Sequence, residues 1–139
     1  MINSSNKVFC SYAFTGEDEK LVNERMQLIA DSFKDCSVQA YCNLFDTRVK
    51  GFTNPKQFMD AALIELKQSD ILFVVMTSER RSEGMLLEVG AAYSAGIPII
   101  LARHESAEGK TYIDQLAQKT VDWKTNEDLK SIIQTLCKS

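Results

Sequence analysis

Residues 82–101 read SEGMLLEVGAAYSAGIPIIL and combine a turn, a helix and a buried strand in one stretch. Ser82 and Gly84 belong to the turn, Gly96 ends the helix, and the apolar run that follows predicts the strand. One acidic side chain, Glu88, lies among the apolar and small residues of the helix. A carboxylate in that setting is either a hydrogen-bonded structural acid or a group kept for chemistry.

Strands and helices alternate along the rest of the chain. The residue patterns predict strands over residues 7–12, 38–42, 71–76, 97–102 and 120–123. They predict helices over residues 17–33, from Pro55 to about residue 66, over the stretch ended by Gly96, over residues 111–118 and from about residue 126. Residues 43–54 are predicted as a long loop. The runs 71–76 and 97–102 are nearly continuously apolar, which is typical of strands covered on both faces.

This alternation predicts an α/β fold with one doubly wound, flavodoxin- or Rossmann-like domain over residues 1–139. We expect a three-layer sandwich around a five-stranded parallel sheet in the order 2-1-3-4-5. Ligands of such sheets bind outside the carboxyl ends of the strands, where the strand order reverses. The loops after strands one to four border that crevice, and Glu88 lies about one turn inside the helix after strand three.

Composition and charge narrow the range of partners. The chain has 139 residues, of which 45% are hydrophobic and 25% charged, as in ordinary globular domains. Its net charge of -3 provides no basic face for a nucleic acid polymer. No run approaches the roughly 20 apolar residues of a membrane span, and residues 1–6 lack the order of a signal peptide. We therefore expect a cytoplasmic protein with no membrane partner.

The four cysteines show no metal-binding spacing. Cys10, Cys36, Cys42 and Cys137 form no CxxC pair and have no histidine nearby. Three of them lie in or beside apolar runs, which favours small buried thiols over a disulfide or a metal site. His104, a lone histidine in a loop, is not expected to bind a metal.

The residues around Glu88 are suited to glycosidic chemistry. Glycosidic bonds break through a transition state that resembles an oxocarbenium ion, so a carboxylate against the anomeric carbon is the expected catalyst. Ser82 and the backbone N–H groups of Gly84 and Met85 lie where a helix dipole favours an anion such as a phosphate. Gly84 would also let a ligand approach the backbone closely.

These motifs resemble a known group of enzymes. The string Ser82-x-Gly84-x-x-x-Glu88-Val89-Gly90-x-Ala92, followed by Ala95-Gly96-x-Pro98-Ile99, is similar to the signature of the nucleoside 2-deoxyribosyltransferase superfamily. That superfamily includes the 2′-deoxynucleoside 5′-monophosphate N-glycosidases. The opening Val8-Phe9-Cys10-Ser11-Tyr12 and the run Gln68-Ser69-Asp70 are similar as well, so the resemblance covers roughly residues 7–102.

The resemblance implies an enzyme that cleaves the N-glycosidic bond of deoxynucleosides or their monophosphates, without a metal or an organic cofactor. It makes Glu88 the nucleophile and Tyr12 a catalytic residue that hydrogen-bonds Glu88 or the sugar. It implies a substrate-binding role for the turn Ser82, Gly84 and Met85, and Ser82 favours a phosphorylated substrate. It further implies a homodimer or a larger assembly.

The first loop completes the expected substrate site with Ser11 and Phe14. The hydrolases of the superfamily place an arginine in this loop for the phosphate, where this chain has Phe14 or Thr15. Because arginines also occur in two of the other crevice loops, we expect Arg81, Arg80 or Arg48 to replace it.

A second difference concerns the helix before strand three. Members of the superfamily have an aspartate there that helps to handle the base, whereas this chain has Ala62. The nearest acid, Asp60, is two residues away, a rotation of about 200° on a helix, so we expect it to point elsewhere.

Three alternatives stay open at this point. Glu88 is a structural acid in one of them. In the second, the Phe9-Cys10-Ser11-Tyr12 opening and a helix glutamate indicate a TIR-like hydrolase of nicotinamide dinucleotide. In the third, Ala62 marks a nucleotide-binding or sensing module that has lost catalysis.

Overall fold

The structure is a computed structural model that describes residues 1–14, 16–80 and 82–138. Its strands are β1 (Lys7–Tyr12), β2 (Gln39–Tyr41), β3 (Ile71–Met76), β4 (Ile99–His104) and β5 (Lys119–Trp123). Its α-helices are α1 (Glu19–Asp35), α2 (Pro55–Lys67), α3 (Glu83–Ser94), α4 (Ile113–Leu116) and α5 (Asn126–Cys137). Short 3-10 helices cover Asn43–Phe45, Thr47–Gly51 and Glu105–Ala107.

All five strands are parallel and lie in the order β2-β1-β3-β4-β5, which confirms the predicted topology. Side chains that alternate along the strands pack on opposite faces of the sheet. One core contains Phe73 and Val75 of β3 together with residues of α1 and α5. The other contains Leu72 and Val74 together with residues of α2, α3 and α4. Helices therefore cover both faces, and every residue of β3 is buried.

The observed boundaries differ from the predicted ones at several elements, most clearly at α1, β4 and α4. Helix α1 begins at Glu19 rather than at residue 17, because the Asp18 side chain caps it by accepting a hydrogen bond from the Leu21 amide at 3.0 Å. Strand β4 begins at Ile99 rather than at residue 97, and helix α4 has only four of the eight residues predicted for it. The Pro98 carbonyl still accepts a hydrogen bond from the Leu72 amide, although proline has no N–H to donate.

The long loop predicted after strand two is more ordered than the sequence suggests. It contains two 3-10 helices, and Asp46 caps the second one by accepting a hydrogen bond from the Arg48 amide at 3.0 Å. The prediction for α2 is confirmed, since Pro55 is its first residue and Asn54 forms a capping box with Gln57. These features fix one wall of the crevice at the carboxyl ends of β1 and β2.

Candidate active site

A cleft of about 760 Å³ opens at the carboxyl end of β1, where the strand order reverses. Its walls are the end of β1, the region from residue 52 into α2, and the first turns of α3. The residues that line it are Cys10, Tyr12, Phe14, Asn43, Phe52, Thr53, Asn54, Pro55, Lys56, Phe58, Met59, Asp60, Ala62, Ser82, Glu83, Gly84, Met85, Leu87 and Glu88. The structure thus brings together most of the residues predicted for the site.

Glu88 is buried in this cleft and held by β1. Its side chain is on the second turn of α3, the residue is only 7% exposed, and Oε1 accepts a hydrogen bond of 2.6 Å from the hydroxyl of Ser11. Within the described part of the chain, Oε2 has no hydrogen-bond partner. Burial raises the pKa of Glu88 to about 7, and the Ser11 hydrogen bond opposes that rise. Burial therefore favours the protonated form of this carboxyl group more than in a free glutamate.

Ser11 contacts Glu88 rather than the open part of the cleft. It is 1% exposed and does not line the cleft itself. The inward face of β1 turns the Ser11 hydroxyl toward the Glu88 carboxylate. The substrate contact predicted for Ser11 stays a prediction.

Tyr12 lies in the cleft, but its hydroxyl does not donate to Glu88. It donates to Asn43 Oδ1 at 2.7 Å, so the predicted bond to Glu88 is replaced by one to the segment after β2. The phenol stays protonated because burial, with the nearby Cys42 and Glu88, raises its pKa far above the usual range. Tyr12 therefore fixes the orientation of the Asn43 amide, whose nitrogen is left to donate.

The start of α3 forms the next part of the site. The Ser82 hydroxyl caps the helix by accepting a hydrogen bond from the Met85 amide at 3.1 Å, which leaves its proton to donate. A Cβ atom on Gly84 would meet Met59 Cε at 3.9 Å and Ser82 Oγ at 4.0 Å, which are ordinary contacts. Packing within the protein does not explain this glycine, and its predicted role in ligand approach stays a prediction.

The arginines expected to bind phosphate do not line the cleft among the described residues. Arg48 is bound to Asp46 at 2.6 Å and to Glu65 at 2.8 Å. Arg80 donates to the carbonyl of Gly16, a residue whose φ of +82° favours glycine. Arg81 lies outside the described residues.

Lys56 is the basic side chain in the described lining of the cleft, and sequence analysis missed it. It follows Pro55 in the first turn of α2 and forms an ion pair with Asp60 at 2.6 Å. The sequence signal was the Asn54-Pro55 helix start, which directs this turn toward the crevice.

Ala62 and Asp60 of α2 both line the cleft, Ala62 from its buried part and Asp60 from its rim. Ala62 is buried against the second core at 5% exposure, whereas the Asp60 side chain is 56% exposed at the rim. As expected, Asp60 points in a different direction from Ala62, although the cleft follows α2 for two turns and both residues line it. No carboxyl group occupies the position of Ala62 itself.

Aromatic rings line the mouth of the cleft. Phe52 and Phe58 stack edge to face with ring centroids 5.3 Å apart, and Tyr12 and Phe14 do so at 6.5 Å. Phe14 and Phe58 are 41% and 42% exposed. Phe58 lies on the cleft rather than in the core, because the buried residues of α2 are Ala62 and Leu66.

Three wider features complete the description. Cys10 and Cys42 are buried as predicted, whereas Cys36 and Cys137 are half-buried, and all four thiols are free. No group of His, Cys, Asp or Glu side chains in the described ranges is arranged to hold a metal ion. None of the described helices has the length and apolar character needed to cross a membrane.

Comparisons with known proteins add a family and a fold. A family model described as nucleoside 2-deoxyribosyltransferase matches residues 9–122. No curated protein matches the sequence. A CMP N-glycosidase of Clostridium botulinum, BcmB, is similar in structure with a TM-score of 0.72 and 16% identity over 94% of this chain and 98% of that one.

Two further solved structures have the same fold. A 2-deoxyribosyltransferase from Bacillus psychrosaccharolyticus has a TM-score of 0.62 and 17% identity over 89% of this chain and 90% of that one. A conserved protein from Enterococcus faecalis V583 has a TM-score of 0.68 and 18% identity over 94% of this chain and 98% of that one.

Proposed function

The chain belongs to the nucleoside 2-deoxyribosyltransferase family, and on that premise we propose that it cleaves the N-glycosidic bond of nucleosides or their 5′-monophosphates with Glu88 as nucleophile. The observation that carries this proposal is the buried Glu88 carboxyl, fixed through one oxygen by Ser11 and lying in the cleft at the switch point of the sheet. A carboxylate held in that way is ready to attack an anomeric carbon.

The proposed reaction has two steps. In the first, the C1′–N bond breaks, its electron pair leaves with the base, and a Glu88 oxygen bonds to C1′. In the second, water or an acceptor base attacks C1′, the ester bond to Glu88 breaks, and the proton of the attacking group goes to solvent. Ser11 holds the carboxyl group, and Tyr12 with Asn43 forms the wall beside it.

The start of α3 supports a phosphorylated substrate. Ser82, Glu83 and Gly84 line the cleft at the N-terminus of α3, and Lys56 of α2 lies on the same lining, whereas the Met85 amide already donates to the Ser82 hydroxyl. The exposed acids Glu83 and Asp60 oppose this preference. Testing nucleosides and monophosphates side by side decides how much the phosphate contributes.

The other two functions predicted from sequence are less well supported. The family match favours deoxyribosyl chemistry over a TIR-like hydrolase of nicotinamide dinucleotide. Glu88 lines the cleft with only one of its oxygens bound to Ser11, and this favours a working enzyme over a silent binding module. Tight binding of nucleotides without turnover would instead support the silent binding module.

We also propose a homodimer or a larger assembly. Helices α2 and α3 leave Ile64, Leu87 and Tyr93 more than half exposed, and an interface between copies of the chain would bury apolar side chains of this kind. Light scattering on the purified protein gives its mass directly. The cytoplasmic location stays a prediction.

The central experiment measures free base after incubation with deoxynucleosides and their 5′-monophosphates, with and without an acceptor base. We expect release by the wild-type protein and loss of release in Glu88→Gln. Glu24→Gln makes the same chemical change on α1, away from the cleft, and serves as the control. Full activity of Glu88→Gln would contradict the proposal.

A further inference from the structure

The leaving base decides how difficult the proposed first step is. A neutral base leaves as an anion unless an acid protonates it, and a positioned general acid contributes about 100-fold or more to such a step. A base that already carries a positive charge leaves as a neutral molecule and needs no acid. The groups around Glu88 therefore indicate which class of base the cleft can release.

The inner lining beside Glu88 offers no suitable acid within the described ranges. The wall consists of Cys10, Ala62 and Met85, all at most 5% exposed, with Met59 beside them. The Cys10 thiol is too weak an acid, since burial raises its pKa well above the usual value. The Tyr12 proton is already donated to Asn43.

The two remaining carboxyl groups of the cleft are at its rim. Asp60 accepts from the Lys56 ammonium group at 2.6 Å and its side chain is 56% exposed, so it is paired outside the buried wall beside Glu88. Glu83 is exposed in the first turn of α3, away from the buried wall. Glu88 itself cannot give its proton to the base and still attack as a carboxylate.

The same cleft is suited to a cationic ring. Its described lining has one basic side chain, Lys56, against three acidic ones, Asp60, Glu83 and Glu88. Aromatic faces attract cations through their quadrupoles, and Phe14, Phe52 and Phe58 lie at the mouth.

Resting on the proposed function, we propose that the preferred substrates are N-glycosides whose base carries a positive charge, such as N7-alkylated purine nucleosides. The C1′–N electron pair then neutralises the departing ring while Glu88 bonds to C1′. Water attacks C1′ in the next step, frees the Glu88 carboxylate and releases one proton to solvent. No acid acts on the base, which agrees with the apolar wall at Ala62.

The first test compares 7-methyl-2′-deoxyguanosine with 2′-deoxyguanosine at a pH where the methylated base is cationic, after subtraction of uncatalysed loss. We expect kcat/KM to be at least about 100-fold higher for the methylated nucleoside and to vanish for both in Glu88→Gln. Comparable, Glu88-dependent cleavage of both nucleosides would overturn this inference and leave the proposed function standing. No Glu88-dependent cleavage of either would overturn both.

The second test does not use the methylated nucleoside, so its result does not depend on the spontaneous loss of the methylated base. Ala62→Asp puts an acid on the apolar wall and should raise cleavage of 2′-deoxyguanosine at least about tenfold, whereas the near-isosteric Ala62→Asn should not. An equal effect of the two variants would count against the inference. Inhibition by 7,9-dimethylguanine cation and by neutral 9-methylguanine, measured on the wild-type protein, needs no variant to fold. The cation should inhibit at the lower concentration, and equal inhibition would contradict the proposal.

Discussion

Burial of the Glu88 carboxyl group lowers the stability of the folded protein at high pH. The pKa of Glu88 in the folded protein is about 7, above the ordinary 4.5, so the folded state binds a proton more tightly than the unfolded chain. The contribution of Glu88 to the free energy of unfolding is most favourable below pH 4.5 and is lost as the pH rises through about 7. That difference amounts to about 3 kcal/mol of stability above neutral pH.

Glu88→Gln should therefore be more stable than the wild-type protein at alkaline pH. The amide oxygen can still accept from the Ser11 hydroxyl, and no charge has to be buried. Urea unfolding at pH 5 and pH 8 measures the effect, and we expect the advantage of the variant to grow by about 1–3 kcal/mol between them. An advantage that does not change with pH would show that Glu88 is not the group that titrates.

Ser11 should control the pH at which the enzyme becomes active. Its hydrogen bond lowers the pKa of Glu88, so Ser11→Ala raises that pKa further. We expect the acidic limb of the kcat/KM profile, near pH 7 in the wild-type protein, to move to higher pH and activity at neutral pH to fall. Ser69→Ala is the control, since Ser69 is also buried but donates to the Glu65 carbonyl far from the cleft.

At the scale of single elements, the capping box of α2 holds the cleft wall in place. The Asn54 side chain accepts from the Gln57 amide at 3.0 Å, and the Gln57 side chain accepts from the Asn54 amide at 3.2 Å. Asn54→Ala should lower the free energy of unfolding by about 1 kcal/mol. Asn54→Asp keeps an acceptor and should lose less in the same urea titration. Equal losses would show that the cap does not stabilise α2.

Elements with strong periodicity or turn chemistry could be predicted from the sequence. The apolar run of β3 and the Asn54-Pro55 start of α2 are visible without coordinates, because burial on both faces and capping are local patterns. The 3-10 helices after β2 were missed, because they have only three and five residues and runs this short show no apolar periodicity.

The site could be predicted only in part, because several of its contacts join residues that are far apart in the sequence. Glu88 and Ser82 lie in one contiguous motif, whereas the partners of Glu88 and Tyr12 come from distant parts of the chain. Ser11 is 77 residues from Glu88, and Asn43 is 31 residues from Tyr12. Their pairing depends on strand register, which the sequence pattern alone does not fix.

At the scale of the whole molecule, one sheet connects two cores. Strand β4 contributes Ile100 to the core under α1 and α5 and Leu101 to the core under α2 and α3. Because neighbouring residues of the same strand belong to different cores, loss of packing on one face should loosen the other. The two faces should unfold as one unit.

Fluorescence of Trp123 can test whether the two faces unfold as one unit, because Trp123 is the single tryptophan and lies in the core under α1 and α5. Leu101→Ala removes fully buried side-chain atoms from the opposite core and should cost about 2–5 kcal/mol. In urea, we expect Trp123 fluorescence and far-UV circular dichroism to shift together to the same lower midpoint. Leu21→Ala, at a leucine that is 53% exposed, should shift neither signal by a comparable amount. A fluorescence midpoint that stays at the wild-type value while circular dichroism moves would show that the two faces unfold separately.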